Sequence, residues 1–190
     1  MQLLILVLTI TAPVLLHAQS YTTNGAAKIV VAGTSNIHDW TMTSNYGTCT
    51  GTFEIDPSGN LTAVNNLAFT MTVTNLKSTK GNTMDNNAYK AMAAEKYPNI
   101  KFSSSSATVK SNGGGNYTIT APGKLSISSG TKDVTLVATG KMNADKSISI
   151  SGSHPLVTTD YNVKAISIML GAIKTSANVT INYTLTMKPQ

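Results

Sequence analysis

Apolar residues recur at every second position through most of this chain, and that period restricts it to half-buried antiparallel strands. Leu67, Phe69, Met71 and Val73 are separated by Ala68, Thr70 and Thr72. Successive side chains of a strand point to opposite faces, so these four share one face. Cys49, Gly51, Phe53 and Ile55 repeat the pattern, as do Tyr117, Ile119 and Ala121, then Ile148 and Ile150, then Val179 through Met187. The alternate positions are mostly Ser, Thr, Asn or Lys. Turn-forming clusters punctuate the runs at Asp56–Asn60, Ser111–Gly115, Ser128–Thr131 and Asn143–Lys146, each with a Gly, Asn, Asp or Ser suited to a tight turn. About eight strands result, the spacing of an up-and-down barrel or a sandwich. The last five follow one another through short turns, which favours a meander. Asp85 to Glu95 breaks the period: it is Ala-rich, and Ala88, Tyr89, Met92 and Ala93 fall at helical spacing before Pro98. The pattern predicts an all-β, antiparallel domain with one short helix at a barrel end.

Met1 to Ala18 carries no Lys, Arg, Asp or Glu and is almost wholly apolar from Leu3 to Leu16. That run is shorter than the roughly 20 residues a membrane helix needs. It reads as a secretory signal cleaved after Ala18, leaving residues 19–190 as one domain in the periplasm or outside the cell. Cys49 is the only cysteine, so no internal disulfide forms and a free thiol is expected to be buried. The formal charge is +6, yet all 14 basic residues are lysines. Without arginine, and with the lysines scattered singly, nucleic acid is excluded as a natural partner. Membrane contact is at most peripheral.

Residues for chemistry are sparse. His38 lies in Ser35-Asn36-Ile37-His38-Asp39-Trp40, a short non-alternating stretch, and His154 shares an apparently inward face with Ile150 and Leu156. No nucleophile elbow, metalloprotease helix or phosphate loop accompanies them, and two histidines with one cysteine do not make a closed zinc site. The carboxylates Glu54, Asp56, Asp85, Glu95, Asp133, Asp145 and Asp160 are expected mostly in turns or on solvent faces, with Asp56, Asp133 and Asp145 as turn formers. The residues therefore argue for binding over catalysis, with no cofactor. The large apolar side chains Trp40, Phe53, Phe69, Met71, Phe102, Leu125, Ile150 and Leu185 either pack a core or line a pocket. Small inward residues (Gly51, Ala121, Gly123, Ala138, Gly152) leave room for a cavity, because an eight-strand barrel is either filled or holds one ligand. A filled structural module and, less so, a His-dependent hydrolase or isomerase stand as alternatives.

Four stretches in order resemble the YceI-like family. They are Ile37-His38-Asp39-Trp40; Met84 to Met92 leading to Tyr97-Pro98-Asn99-Ile100-Lys101-Phe102; Gly123-Lys124-Leu125-Ser126-Ile127 with Gly130 to Val134; and Thr159-Asp160-Tyr161 followed by Gly171 to Thr175. Lys164-Ala165-Ile166 and Ala121-Pro122 depart from the family's pattern. The resemblance implies a lipocalin-like barrel of about eight strands, closed by a helix around an apolar tunnel. It implies a polyisoprenoid ligand, such as a quinone's chain, and leaves a homodimer open. The residues expected to line the pocket are His38, Trp40, Phe53, Phe69, Met71, Phe102, Leu125, Ile150, His154 and Tyr161.

Overall fold

A computed structural model describes residues 17–168 and 171–190. The segment read as a secretory signal lies, except for His17 and Ala18, outside the described residues. The alternating runs become twelve strands, numbered along the chain: β1 (His17–Thr22), β2 (Ala26–Ser35), β3 (Asp39–Tyr46), β4 (Thr48–Ile55), β5 (Leu61–Thr72), β6 (Lys77–Ser78), β7 (Asn99–Gly113), β8 (Asn116–Ile127), β9 (Gly130–Met142), β10 (Ile148–Val157), β11 (Ser167–Ile168) and β12 (Ile173–Pro189). Cleavage after Ala18 would fall inside β1, where Ala18 pairs with Glu54.

Eight of the strands close a ring in the order β1-β4-β5-β7-β8-β9-β10-β12, and β12 returns to β1 through Tyr21↔Pro189 and Thr22↔Lys188. Closure gives each strand of that ring a partner on both sides over at least part of its length, which protects its edges. The β2 and β3 strands continue β1 and β4 past a kink. At this kink Asn24 and Gly25 take positive φ (50° and 86°), and the Thr23 hydroxyl donates to Gly47 O (3.1 Å) and accepts from Cys49 N (3.0 Å). The long β2–β12 and β2–β3 ladders therefore extend the wall upward beyond the ring's base. From β7 to β10, and then to β12, each long strand pairs with the next, the expected meander. The four turn clusters all connect neighbouring strands. Asp56 accepts from Asn60 N (2.8 Å) and Asp145 from the Ser147 hydroxyl (2.6 Å), as turn formers do. Asp133 is a correction: it stands in β9, exposed and paired with Lys124 Nζ at 2.7 Å across the hairpin.

Two further expectations shift. Val73 leaves the strand and opens a 3₁₀ turn (Val73–Asn75). The helix α1 spans Asn82–Ala91 rather than Asp85–Glu95. Gly81 starts it early with φ 85°, and Ala93 ends it in the left-handed region (φ 49°), with Ala94 N donating back to Tyr89 O (2.9 Å), the hydrogen bond of a C-terminal cap. Asp85 is not on a solvent face. It is 3% exposed, accepts from Ser78 N at 2.7 Å and has Lys77 Nζ at 3.7 Å, so it binds α1 to β6. Tyr89 adds hydrogen bonds to Leu76 O (2.6 Å) and Thr74 O (3.0 Å). Replacing Asp85 with alanine is expected to destabilise the fold by about 2 kcal/mol, because it removes a charge-assisted hydrogen bond to the part-buried Ser78 amide and leaves that donor without its partner. Urea titration of Asp85→Ala against the parent measures this.

The interior has two halves. At the base, where β4–β5, β7–β8 and β9–β10 turn, Tyr21, Phe53, Val64, Tyr117, Ile148 and Met187 are at most 1% exposed. The Tyr21 and Phe53 rings meet at 4.7 Å between centroids. Each phenol is satisfied, Tyr21 donating to Lys146 O (3.1 Å) and Tyr117 accepting from Leu61 N (3.2 Å). The base is a close-packed plug. The upper half, toward α1 and the segment after β10, is packed quite differently.

Candidate functional site

Above the plug the wall encloses a cavity of about 130 Å³. One water needs roughly 10–15 Å³ on a comparable measure, and an engineered 150 Å³ apolar cavity stays dry and takes benzene. Its lining comes from eight strands, Cys49 of β4 among them, and from Leu76 before β6, and is hydrocarbon almost throughout. Ile29 and Val31 come from β2, Leu67, Phe69 and Met71 from β5, Phe102 from β7, Ile119, Ala121 and Leu125 from β8, Leu136 and Ala138 from β9, Ile150 from β10, and Ile181 and Leu185 from β12. Several of these inward side chains (Val31, Leu67, Phe69, Leu136, Ile150, Ile181, Leu185) are only half-buried, in contrast with the plug. These side chains therefore keep apolar surface that the protein's own atoms do not cover.

Aromatic side chains point inward here without filling the space, because they lie flat on glycines. A Cβ on Gly47 would strike the Phe69 ring, one on Gly123 the Phe102 ring, and one on Gly152 the Tyr183 ring. Each glycine takes a ring against the wall that a larger residue would push into the lumen. Ala121 and Ala138, both buried, leave the facing wall low as well.

The lumen brings together Phe69, Met71, Phe102, Leu125, Ile150 and His154 of the ten expected lining residues. The other four lie elsewhere. Phe53 is at 0% exposure in the plug, one level too deep. Tyr161 is buried in the 3₁₀ turn Thr158–Tyr161, its backbone against Gly130 at the top of β9. Trp40 lays its indole across Gly33 at the upper rim and donates from Nε1 to Thr34 O (3.1 Å).

His38 is exposed at the β2–β3 turn, where its Nδ1 sits 2.9 Å from Asp39 O. Ser35 Oγ in that turn donates to His38 O (2.7 Å) and accepts from His38 N (3.1 Å). Ser35, His38 and Asp39 thus satisfy a turn rather than one another's side chains. Asn36 docks the turn on the start of β12, donating to Ala172 O (2.8 Å) and accepting from Lys174 N (2.9 Å). The sequence does not single out Leu136, Ile181 or Tyr183. Their inward placement depends on partners found only once the register is set, although the glycines opposite inward aromatics are a usable signal.

Four lining residues carry side-chain heteroatoms, the thioether of Met71 and the titratable groups of Cys49, His154 and Tyr183. Burial pushes the Cys49 thiol up to about 12, so it stays protonated and unreactive. Burial also holds His154 below the ordinary imidazole value, which favours the neutral ring. A depressed histidine makes the unfolded chain bind more protons than the native one below the unfolded value. Stability is then fully present above about pH 6.5 and falls as pH drops from there toward the lower native value. His154→Gln is expected to flatten that part of the melting-temperature profile, which calorimetry across the range measures. Among the described residues no group of three or more His, Cys, Asp or Glu side chains is placed to hold a metal ion.

A family model described as YceI-like domain matches residues 17–187. A sequence search of curated proteins gives no match. Among solved structures the fold is similar to BcnA of Burkholderia cenocepacia, at 20% identity and TM-score 0.60 over 84% of this chain and 95% of that one. It is similar to a polyisoprenoid binding domain from Saccharophagus degradans, at 8% identity and TM-score 0.63 over 92% and 100%. It is also similar to a Campylobacter jejuni YceI protein, at 18% identity and TM-score 0.52 over 74% and 80%. At such identities the likeness is one of fold.

Proposed function

This chain belongs to the YceI-like domain family, and from that premise we propose that it carries or stores an apolar isoprenoid or similar lipid chain, such as that of a quinone, in the upper lumen of the barrel. The observation that carries the reading is the hydrocarbon-lined cavity of about 130 Å³ standing over a solid base. A filled structural module needs no such space. The similarity in fold to the Saccharophagus degradans polyisoprenoid binding domain supports the ligand class, and the apolar segment Met1–Ala18 supports a place in the periplasm or outside the cell.

By comparison with the benzene-sized cavity above, the lumen encloses about one isoprene unit. A chain of several units needs more room, which it gains by spreading the half-buried lining. Each methylene withdrawn from water contributes about 0.8 kcal/mol, so a few enclosed units overcome the cost of ordering the chain. The protein works as a binding barrel, with no catalytic step assigned to it.

The test is denaturing organic extraction of protein purified without added lipid, beside native mass spectrometry of the same sample. A stoichiometric apolar molecule, absent after extraction, is expected. A folded barrel recovered empty from repeated preparations, and unable to take up an added isoprenoid, contradicts the proposal.

A further inference from the structure

The lumen's wall is not hydrogen-bonded all the way round. The β9–β10 ladder runs from Ile148↔Met142 only to Gly152↔Ala138. Beyond it β10 continues to Val157 against β12 alone, and β9 extends back to Gly130 against β8 alone. The two strands part at their upper ends. Tyr183 fastens the start of this slit: its ring crosses β10 over Gly152, and its hydroxyl donates to Val137 O on β9 at 3.2 Å. Two residues past the last ladder pair stands His154, on the same face of the sheet as Tyr183 and diagonal to it, since Gly152 pairs with Tyr183 and His154 with Ile181. Diagonal neighbours of this kind lie about 7–8 Å apart at their Cα atoms, within reach of one bridging group.

No group among the described residues hydrogen-bonds the His154 ring, although it faces an otherwise hydrocarbon lumen. Among the described residues no fully buried side-chain nitrogen or oxygen lacks a partner, so the ring nitrogens of half-buried His154 are accessible and a ligand atom can hydrogen-bond them. None of the lining residues is a lysine, so an anionic phosphate there would lack the cation it requires. We propose, building on the isoprenoid-binding reading, that the ligand carries a neutral oxygen head group, a hydroxyl or carbonyl, that hydrogen-bonds His154 beside the parted edges of β9 and β10. The chain then packs against the apolar lining, and the hydroxyl of Tyr183 keeps a lone pair for the same head group. Val137 and Val157, 51% and 38% exposed, flank the slit on the outer face, so a head at His154 sits next to the side of the barrel rather than at its plug.

The test compares geranylgeraniol, its diphosphate ester and phytane, a hydrocarbon of the same carbon count, as competitors of N-phenylnaphthylamine bound to the parent protein, His154→Phe and His154→Gln. The parent is expected to prefer geranylgeraniol over phytane by roughly three- to tenfold, the worth of one hydrogen bond. His154→Phe is expected to lose that preference with phytane affinity kept, and His154→Gln, which still donates, to retain most of it. An equal preference in the parent and His154→Phe, or a diphosphate that binds the parent more tightly than the alcohol, overturns the head-group assignment and leaves the lumen as a lipid site. Failure of all three lipids to displace the probe from any of the proteins overturns the isoprenoid reading as well.

Discussion

Ala121→Phe is expected to lower affinity for an isoprenoid at least 100-fold while leaving the barrel about as stable as before. Ala121 is 4% exposed and faces the lumen from the middle of β8, opposite Leu136 on β9. A phenyl ring there occupies much of a cavity of about 130 Å³. Displacing about four enclosed methylenes costs the ligand roughly 3 kcal/mol, which is more than a hundredfold in the dissociation constant. Stability should change by less than about 1 kcal/mol in either direction, because filling a void gains contacts that offset any strain. Fluorescent-probe displacement and urea unfolding measure the two quantities on one sample. Loss of both folding and binding would mean that Ala121 sits in packed core, and retained binding would place the ligand elsewhere.

The plug should behave in the opposite way. Phe53→Ala is expected to destabilise the protein by about 3–5 kcal/mol, since it opens a cavity among side chains that cannot collapse into it. Phe53 is at 0% exposure with the tilted Tyr21 ring packed against it. Leu136→Ala, on the half-buried lumen wall, borders existing space and should cost less than about 2 kcal/mol. Isoprenoid binding is expected to weaken in Leu136→Ala and, in whatever fraction of Phe53→Ala remains folded, to persist. Equal losses from the two substitutions would show that the interior is uniformly packed.

The contrast between plug and lumen marks the limit of what the sequence discloses. Period-2 alternation is a local property, so Leu67, Phe69 and Met71 fall on the inner face as the pattern requires, and the strand count, meander and buried Cys49 follow from the same reading. The helix start is legible only to within a turn, because Gly81 and Ala93 set its ends through backbone conformations that composition does not announce. Depth along the barrel axis is another matter. Phe53 and Phe69 look alike in sequence, each inward on an alternating strand, yet one fills the base and the other lies on Gly47 beside open space. Their difference comes from cross-strand register, which brings together residues far apart in the chain and shifts at the bulges between Thr50 and Thr52 and at Glu54/Ile55. One step of register moves every side chain to the other face. For the same reason the slit beside His154 is invisible in the sequence: β9 and β10 each alternate well past the point where they stop pairing. The stretch Ser35 to Trp40, which stands out by breaking the alternation, proves to be a turn tied to the start of β12 by Asn36.

A crystal structure of the protein under xenon pressure tests the central claim most directly, because xenon enters apolar cavities that stay free of water. Density is expected in the upper lumen between Phe69, Leu136 and Ile181, with none among Tyr21, Phe53 and Tyr117. An upper half closed over by its own side chains, or holding a chain of ordered waters in place of xenon, would contradict a lumen built to receive a lipid.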